Sequence, residues 1–532
     1  MALGLTPQQI VDSGEHPLLV KADRWERVFL KEIASVQNGA AFSSAYFTDN
    51  EGLPLIRIRD VGQRETENFY NGPYSSEYVV NSGDLLIGMD GDFRCAFWNG
   101  GKALLNQRVC RVRLESYLME EKFLYFCLQP YLDAIHAHTS SVTVKHLSSR
   151  TVENIPLPLP PLGEQKRIVA KIEELFSELD DSVANLETAR ARLQTYRQSL
   201  LKNAFEGRLT EQWRRDHADE LESADQLLER IREERQARYQ QQLEDWKTQV
   251  AQWEADGKAG SKPSKPTLPK DWTDDEDLLA GQVEIPSTGW SRCHLGDLIE
   301  YPKYGTTKKC FYDKGATPVL RIPNVVSGRV NSSDLKFADF ETREIRDWAL
   351  CAGDLLVIRS NGSLAIVGTA GLVGPEHEGF LYAGYLIRLR PISRSILPKY
   401  LKYVLQSPPV RKQLDRKAKS TSGVNNINAK ELVSLCVPLP SISEQELIVD
   451  QVDRMSSQIE ELEKAVGENL ERTANLRQSI LKRAFEGRLV SQDPNDEPAS
   501  ELLARIQGAP QNEREAGNGR RARTGSASKE AG

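Results

Sequence analysis

Two short motifs in this 532-residue chain carry residue types that do chemistry, and each lacks a part that chemistry needs. Ser407-Pro408-Pro409-Val410 has the outline of the Asn/Asp/Ser-Pro-Pro-aromatic loop with which adenine methyltransferases grip a flipped base. Val410 stands where the stacking ring must be, and no glycine-rich cofactor loop accompanies it, so a helix break is expected there and at Gln129-Pro130 in the first half. His136-x-His138 supplies two imidazoles without a Cys or acid at ligand spacing, the pattern of a helix end rather than a metal site. There is no G-x-x-x-x-G-K-[ST], no G-x-G-x-x-G and no H-E-x-x-H, so nucleotide and metal chemistry are expected on other chains. Seven cysteines (Cys95, Cys110, Cys127, Cys293, Cys310, Cys351, Cys436) are scattered without C-x-x-C and read as reduced core thiols.

What remains is binding. The net charge of −7 argues against a polyanion only if charge is spread evenly. It is not: Arg388 to Lys419 holds ten cations (Arg388, Arg390, Arg394, Lys399, Lys402, Arg411, Lys412, Arg416, Lys417, Lys419) against Asp415 alone, and Lys102 to Arg113 holds four and no acid. A polyanion-binding face is expected in these runs. No apolar run approaches the ~20 residues that span a bilayer, and the N-terminal residues lack a basic-then-apolar signal, so a soluble cytoplasmic protein is expected.

The chain repeats itself. Pro158-Leu159-Pro160, Glu164-Gln165 and Ile168-Val169 return as Pro438-Leu439-Pro440, Glu444-Gln445 and Ile448-Val449, 280 residues on. Arg197 to Leu209 (RQSLLKNAFEGRL) returns at the same offset as Arg477 to Leu489 (RQSILKRAFEGRL). Earlier the offset drifts: 265 for Trp25 and Trp290, 264 for Arg57-Ile58 and Arg321-Ile322, 270 for Gly83-Asp-Leu-Leu86 and Gly353-Asp-Leu-Leu356. Loop lengths therefore differ in the front of each half, and the back has fixed length. The fronts read as short strands (Leu55–Ile58, Asp84–Ile87, Arg108–Val112, Leu355–Ile358) with helices at about 120–137 and 397–417, Gly83-Asp84 and Gly353-Asp354 as turns, and Trp25 and Trp290 as core.

Each back is a helix with heptad order. Ile172, Leu179, Leu186, Leu193 and Leu200 are flanked by Ile168, Leu175, Ala189 and Tyr196; Val452, Ile459, Val466, Thr473 and Ile480 are flanked by Ile448, Met455, Leu462, Asn469 and Leu476. The copies are expected to pair with each other, Asn469 and Thr473 fixing register, with Ser443-x-x-Glu446 as a capping box and Gly207 and Gly487 closing the C-termini. Some 40 residues at ~1.5 Å each give a rod of about 60 Å. Glu211 to about Asp256 is highly charged and helical with a poor apolar face, followed by a Gly-Lys-Pro linker at 257–270; Leu227 to Ile231 is echoed by Leu502 to Ile506.

The P-L-P-x-x-x-E-Q-x-x-I-V entry, the long helix and the R-Q-S-[LI]-L-K-x-A-F-E-G-R-L exit, each present twice, resemble type I restriction-modification specificity subunits over about Trp25 to Leu489. The resemblance implies an α+β chain with a pseudo-twofold repeat: target-recognition domains at 24–158 and 289–438, and helical spacers at 159–210 and 439–490 that pair as an antiparallel coiled coil. An N-terminal extension (1–23), a charged helical insertion and linker (211–288) and a disordered tail (491–532) surround them. It implies double-stranded DNA as ligand, two methyltransferase and two motor-nuclease subunits as partners, no catalytic residue or cofactor on this chain, and S-adenosylmethionine, ATP and Mg on the partners. Candidate DNA-binding residues are Tyr46, Arg57, Arg59, Arg64, Arg94, Lys102, Arg108 and Lys145 in the first reader. In the second they are Lys303, Tyr304, Lys308, Lys309, Arg321, Asn324, Arg359, Asn361, Lys419 and Asn425. Arg57 matches Arg321 and Lys145 matches Asn425, which suggests shared positional work. The alternatives are a coiled-coil scaffold with protein-binding heads, which predicts no salt-sensitive DNA binding, and an enzyme active by itself, which the missing motifs oppose.

Overall fold

Leu85–Gly88 and Leu355–Ile358 are strands buried at all four positions, as unbroken apolar runs between turn signals imply. Each is an interior strand of a four-stranded antiparallel sheet: Ala34–Asn38, Val109–Leu114, Leu85–Gly88, Cys95–Phe97 in the first half, and Lys303–Tyr304, Leu386–Leu389, Leu355–Ile358, Ala370–Leu372 in the second. Gly83 (φ 93°) and Gly353 (φ 92°) make the left-handed turn before them. Asp84 and Asp354 tie that turn by accepting from the Asn81 and Cys351 N–H groups at 2.9 and 2.8 Å. A second sheet differs between halves, five strands around Leu53–Ile56 against three around Thr317–Leu320, which accounts for the drifting offset. The structure is a computed structural model that describes residues 4–139, 145–219, 222–258, 262–266, 283–392, 395–421 and 423–508, with 419–421 by backbone only. Among these no helix is long and apolar enough to cross a membrane.

The proline-rich entries are strands too. Pro156–Leu159 pairs antiparallel with Glu26–Phe29, and Cys436–Leu439 with Ser291–His294. A two-stranded ribbon leaves each strand an open edge, where a residue without an N–H costs little. Trp25 and Trp290 are buried beside these ribbons, as expected.

The chain divides into two units, Met1–Glu187 with Gly467–Gly532, and Thr188–Val466. Each 44-residue helix, Leu162–Phe205 and Ile442–Phe485, contributes to both. In the first unit Arg24 bonds both Glu164 and the Gly487 carbonyl, while Arg477 reaches Asp180 and lies 5.1 Å over the Phe176 ring, so the two helix segments run antiparallel. In the second unit Arg197 meets Glu463 at 3.2 Å, and Thr210 and Arg214, just past the first helix, meet Glu444 at the start of the second. That segment pair is antiparallel as well. The line Val452, Ile459, Val466, Thr473, Ile480 faces inward, and its companion line holds at buried Ile448 and half-buried Met455 but beyond them moves one residue on from that expected. Ser456, Glu463, Leu470 and Arg477 are half-buried, whereas Leu462 and Leu476 are 54% and 43% exposed and Asn469 is exposed. Tyr196 likewise gives way to Arg197. Seam neighbours of position 459 lie at both +3 and +4, and the sequence favours +3 only because leucines sit there; the aliphatic stems of Arg and Glu cover apolar surface equally well. Asn469 therefore fixes no seam register.

Other expectations need correction. The N-terminal cap of the second helix is Ser441, whose Oγ accepts from the Glu444 N–H, not Ser443. The helix break at Pro408 is present, with Ser407 extended (φ −66°, ψ 143°) between Pro398–Gln406 and Pro408–Lys417, but Glu121–His138 runs unbroken through Pro130. Two adjacent prolines push the preceding residue out of helical geometry; at Pro130 the buried face of the helix (Phe123, Leu124, Cys127, Leu128, Tyr131, Leu132) holds it together. Nor is 491–532 wholly irregular: Ala499–Gly508 is a helix with Leu502 and Ile506 in the first core, and Asp496 pairs with Arg167 at 2.5 Å. Residues 509–532 lie outside the described residues, as do 259–261 and 267–282 of the linker. The insertion helix Ala224–Ala255 similarly buries Leu227, Leu228 and Ile231 in the second core, which explains the echo of Leu227 to Ile231 in Leu502 to Ile506.

Candidate nucleic-acid interface

In the second reader, backbone ties bring several candidates to one place. Arg359 donates its N–H to the Tyr385 carbonyl (3.0 Å), and its own carbonyl accepts from Ile427 (2.8 Å). Ser360 and Asn361 pair with Asn426 and Asn425. The Arg359 guanidinium lies 4.7 Å from the Tyr304 ring centre and donates to Asn426 Oδ1 at 3.3 Å, while the Tyr304 hydroxyl accepts from the Ala429 N–H. Tyr304, Arg359, Asn361 and Asn425 thus gather with Asn426 and Tyr385, a ring 63% exposed, both passed over in the sequence. Asn425 donates to the Gly362 carbonyl and Asn361 accepts from Ser363, bonds that hold the hairpin. The Lys419 backbone pairs with Asn426; its side chain lies outside the described residues.

The rest of that reader's candidates lie apart. Lys303 is half-buried and donates to the Asp347 carbonyl at 2.6 Å; burial lowers its pKa, with Asp347 opposing. Lys308 reaches Glu344 at 3.3 Å, Lys309 lies over Phe311, and Arg321 pairs with Asp334 at 2.7 Å. Asn324 is fully buried: its Oδ1 accepts from the Arg321 N–H at 2.8 Å and it cannot meet DNA. Asp60 does the same for the Arg57 N–H at 2.8 Å, so the two turns are capped alike at the arginine backbone.

In the first reader, Asp90 gathers Arg108 (3.3 Å) and His146 (2.5 Å), an acid and an imidazole the sequence reading missed. Lys145 turns away, its Nζ donating to the His136 carbonyl at the end of Glu121–His138, a favourable place for a cation. Arg94 packs its guanidinium on Gly62, in a cleft that also holds Asp92 and Asp133. Arg59 is exposed near Asn68 and Asp60; Arg64 and Lys102 are exposed on loops that meet at Gly100. Tyr46 is 45% exposed against Tyr70, and Arg57 lies over Phe47.

The run from Arg388 to Lys419 is not one basic face. Arg388 is buried, and Asp354 binds Arg390 at 2.6 and 2.7 Å, hydrogen bonds that hold the guanidinium proton more tightly than usual. Lys399 pairs with Asp453, Arg411 with Asp415 and two backbone carbonyls, and Lys417 bonds Ser434. Lys412 and Arg416 remain exposed; Arg394 lies outside the described residues. In the Lys102–Arg113 run Arg111 is fully buried, bonded to Asp84, Gln37 and two carbonyls. Apart from Asp415, the acids responsible lie outside the runs, so local charge counting overstates the face.

The repeated Glu-Gln is architectural. Gln165 accepts from the Glu120 N–H and donates to the Leu118 and Pro160 carbonyls; Gln445 does the same with Leu397, Ser395 and Pro440. Glu164 accepts from Trp25 Nε1 and Arg24, and Glu444 from Thr210 and Arg214. Ser407 is fully buried with its hydroxyl on the Val404 carbonyl, so no base could enter there. His136 packs edge-on to Phe93 and His138 faces Glu15.

A family model described as Type I restriction modification DNA specificity domain matches residues 22–187 and again 287–472. The EcoBI type I restriction enzyme specificity subunit of Escherichia coli is 32% identical over 534 residues, covering 98% of this chain and 99% of that one. The EcoKI specificity subunit of Escherichia coli strain K12 is 27% identical over 74% of this chain and 71% of its own. A solved chain from work on complex assembly and conformational transition of the type I R-M system aligns over 88% of this chain and 99% of its own, with a TM-score of 0.58 at 17% identity, a likeness of fold.

Proposed function

The chain belongs to the type I restriction-modification DNA specificity family, and from that premise we propose that it reads a split DNA target, one half-site to each reader, for partner subunits that act on the DNA. One observation carries the reading: the specificity domain occurs twice, each copy running into a 44-residue helix, in a chain whose repeat offset drifts through the readers and is constant through the helices. Unlike readers on equal spacers suit unlike half-sites at a fixed separation, on the order of one helical turn for readers on one face of B-DNA. Two methyltransferase subunits and two motor-nuclease subunits join it, and S-adenosylmethionine, ATP and Mg belong to them. The protein works in the cytoplasm, where the DNA is.

Single-molecule methylation sequencing of DNA from cells carrying this chain and its neighbouring methyltransferase, with and without this chain, tests the proposal. A split adenine-methylation motif that vanishes on deletion is expected; a motif indifferent to the deletion overturns it.

A further inference from the structure

The two readers lay the same backbone mesh at one point. In the first, Met89 N–H donates to the Arg108 carbonyl (2.9 Å) and the Met89 carbonyl accepts from Leu147 (2.7 Å), with Asp90 bridged to His146. In the second, Arg359 N–H donates to Tyr385 (3.0 Å), its carbonyl accepts from Ile427 (2.8 Å), and Ser360 pairs with Asn426. The adjoining registers agree, Val109 with Gly88 and Leu386 with Ile358. Five backbone positions therefore correspond: Met89 with Arg359, Leu147 with Ile427, and three that are polar in both copies, Asp90 with Ser360, Arg108 with Tyr385 and His146 with Asn426.

Around this mesh the matched residues are structural in both copies. Asp60 and Asn324 cap the same turn, and Lys145 and Asn425 both bond carbonyls. At the three positions the side chains are all polar, all at least partly exposed, and different in every case. A scaffold that keeps its backbone and changes its outward polar groups is what reading two different base sequences requires, since phosphate contacts carry no sequence information. Asp90 sharpens the point. A carboxylate repels phosphate, yet it matches an exocyclic amino group on a base edge, beside an arginine and an imidazole that supply donors.

Building on the specificity reading above, we infer that Asp90, Arg108 and His146 in the first reader, and Ser360, Tyr385 and Asn426 in the second, are base-reading positions that set the two half-sites. The surrounding cations position the duplex.

The test transplants one set onto the other mesh: Asp90→Ser, Arg108→Tyr and His146→Asn together, in the full chain with its methyltransferase partner, with methylated motifs sequenced. One half-site should change at one or more positions while the other half-site and the gap are kept. An unchanged motif, with the variant methylating as the parent does, overturns the inference. If the triple variant methylates nothing, Asp90→Asn decides, because it keeps size and hydrogen-bonding reach. Relaxation confined to one half-site supports the assignment, and a parental motif overturns it. If the unsubstituted chain itself directs no split motif, the underlying function fails rather than this assignment.

Discussion

Arg214→Ala isolates what the buried glutamate of the second unit needs. Arg214 is 9% exposed and Glu444 0%, with 2.9 Å between Nη2 and Oε1; the same guanidinium bonds the Gly207 carbonyl. Without it Glu444 keeps the Thr210 hydroxyl on one oxygen, and its other oxygen already has no partner among the described residues. Removing one member of such a pair strands a buried charge, a cost of about 3–5 kcal/mol. Native-state hydrogen exchange on the amides of Ser291–His294, paired with Cys436–Leu439 at the helix entry, reads this locally. At about 1.4 kcal/mol per decade, protection should fall by roughly a hundredfold to a few thousandfold. The first unit is an internal comparison. Arg24 is a third exposed and Glu164 retains Trp25 Nε1 at 3.0 Å, so Arg24→Ala should cost only about 1–3 kcal/mol in the amides of Glu26–Phe29. Adding Glu444→Gln to Arg214→Ala removes the stranded charge and should restore about 2 kcal/mol. A loss under tenfold for Arg214→Ala, or a double variant no better than the single, would refute the argument.

Three further outcomes are expected. Asn324→Ala removes the cap on the Arg321 N–H and should cost about 1–2 kcal/mol in urea unfolding while leaving both half-sites intact; a changed methylation motif would return Asn324 to the readers. Burial raises the Cys110 thiol from 9.0 to about 12 and Cys436 to about 11. The folded chain keeps these protons while the unfolded chain releases them above about pH 9. Stability is therefore whole below pH 9 and declines by ~1.4 kcal/mol per pH unit per thiol up to the folded values, a slope that Cys110→Ala should reduce in urea midpoints taken at pH 8.5 to 10.5. Finally, a Cβ on Gly39 or Gly305 would stand 2.1 or 2.2 Å from the Asn106 or Tyr382 carbonyl oxygen, so Gly39→Ala or Gly305→Ala should lower the melting temperature by several degrees, and a variant melting with the parent would show that the strand can retreat.

The repeat, the buried strands and the inward helix line could be read from the sequence because each rests on spacing. What could not be read depends on partners far along the chain. Arg390 looks like a DNA contact until Asp354 is beside it, and Arg111 until Asp84 is. The seam kept its period, yet Arg197, Glu463 and Arg477 took places that a search for leucines assigns to Tyr196, Leu462 and Leu476. Asp90 was missed because no acid was sought, and Tyr385 because nothing local in the sequence sets it apart from other tyrosines. The available signal was the mismatch of His146 and Asn426 next to the matched pair Lys145 and Asn425.

One hydrogen bond joins Arg24 to Gly487, 463 residues away. Thr188–Val466 is a single continuous stretch, whereas the other unit is split around it. During synthesis the stretch holding the second reader can close as soon as residue 466 has emerged. The first reader, though made earlier, must wait with its helix entry unfinished until Phe485, Gly487 and the Leu502 helix follow. Domains usually mature in the order of translation; here the element made first is completed last, and a nascent chain stalled after residue 466 would carry one finished reader and one exposed apolar surface for chaperones to hold.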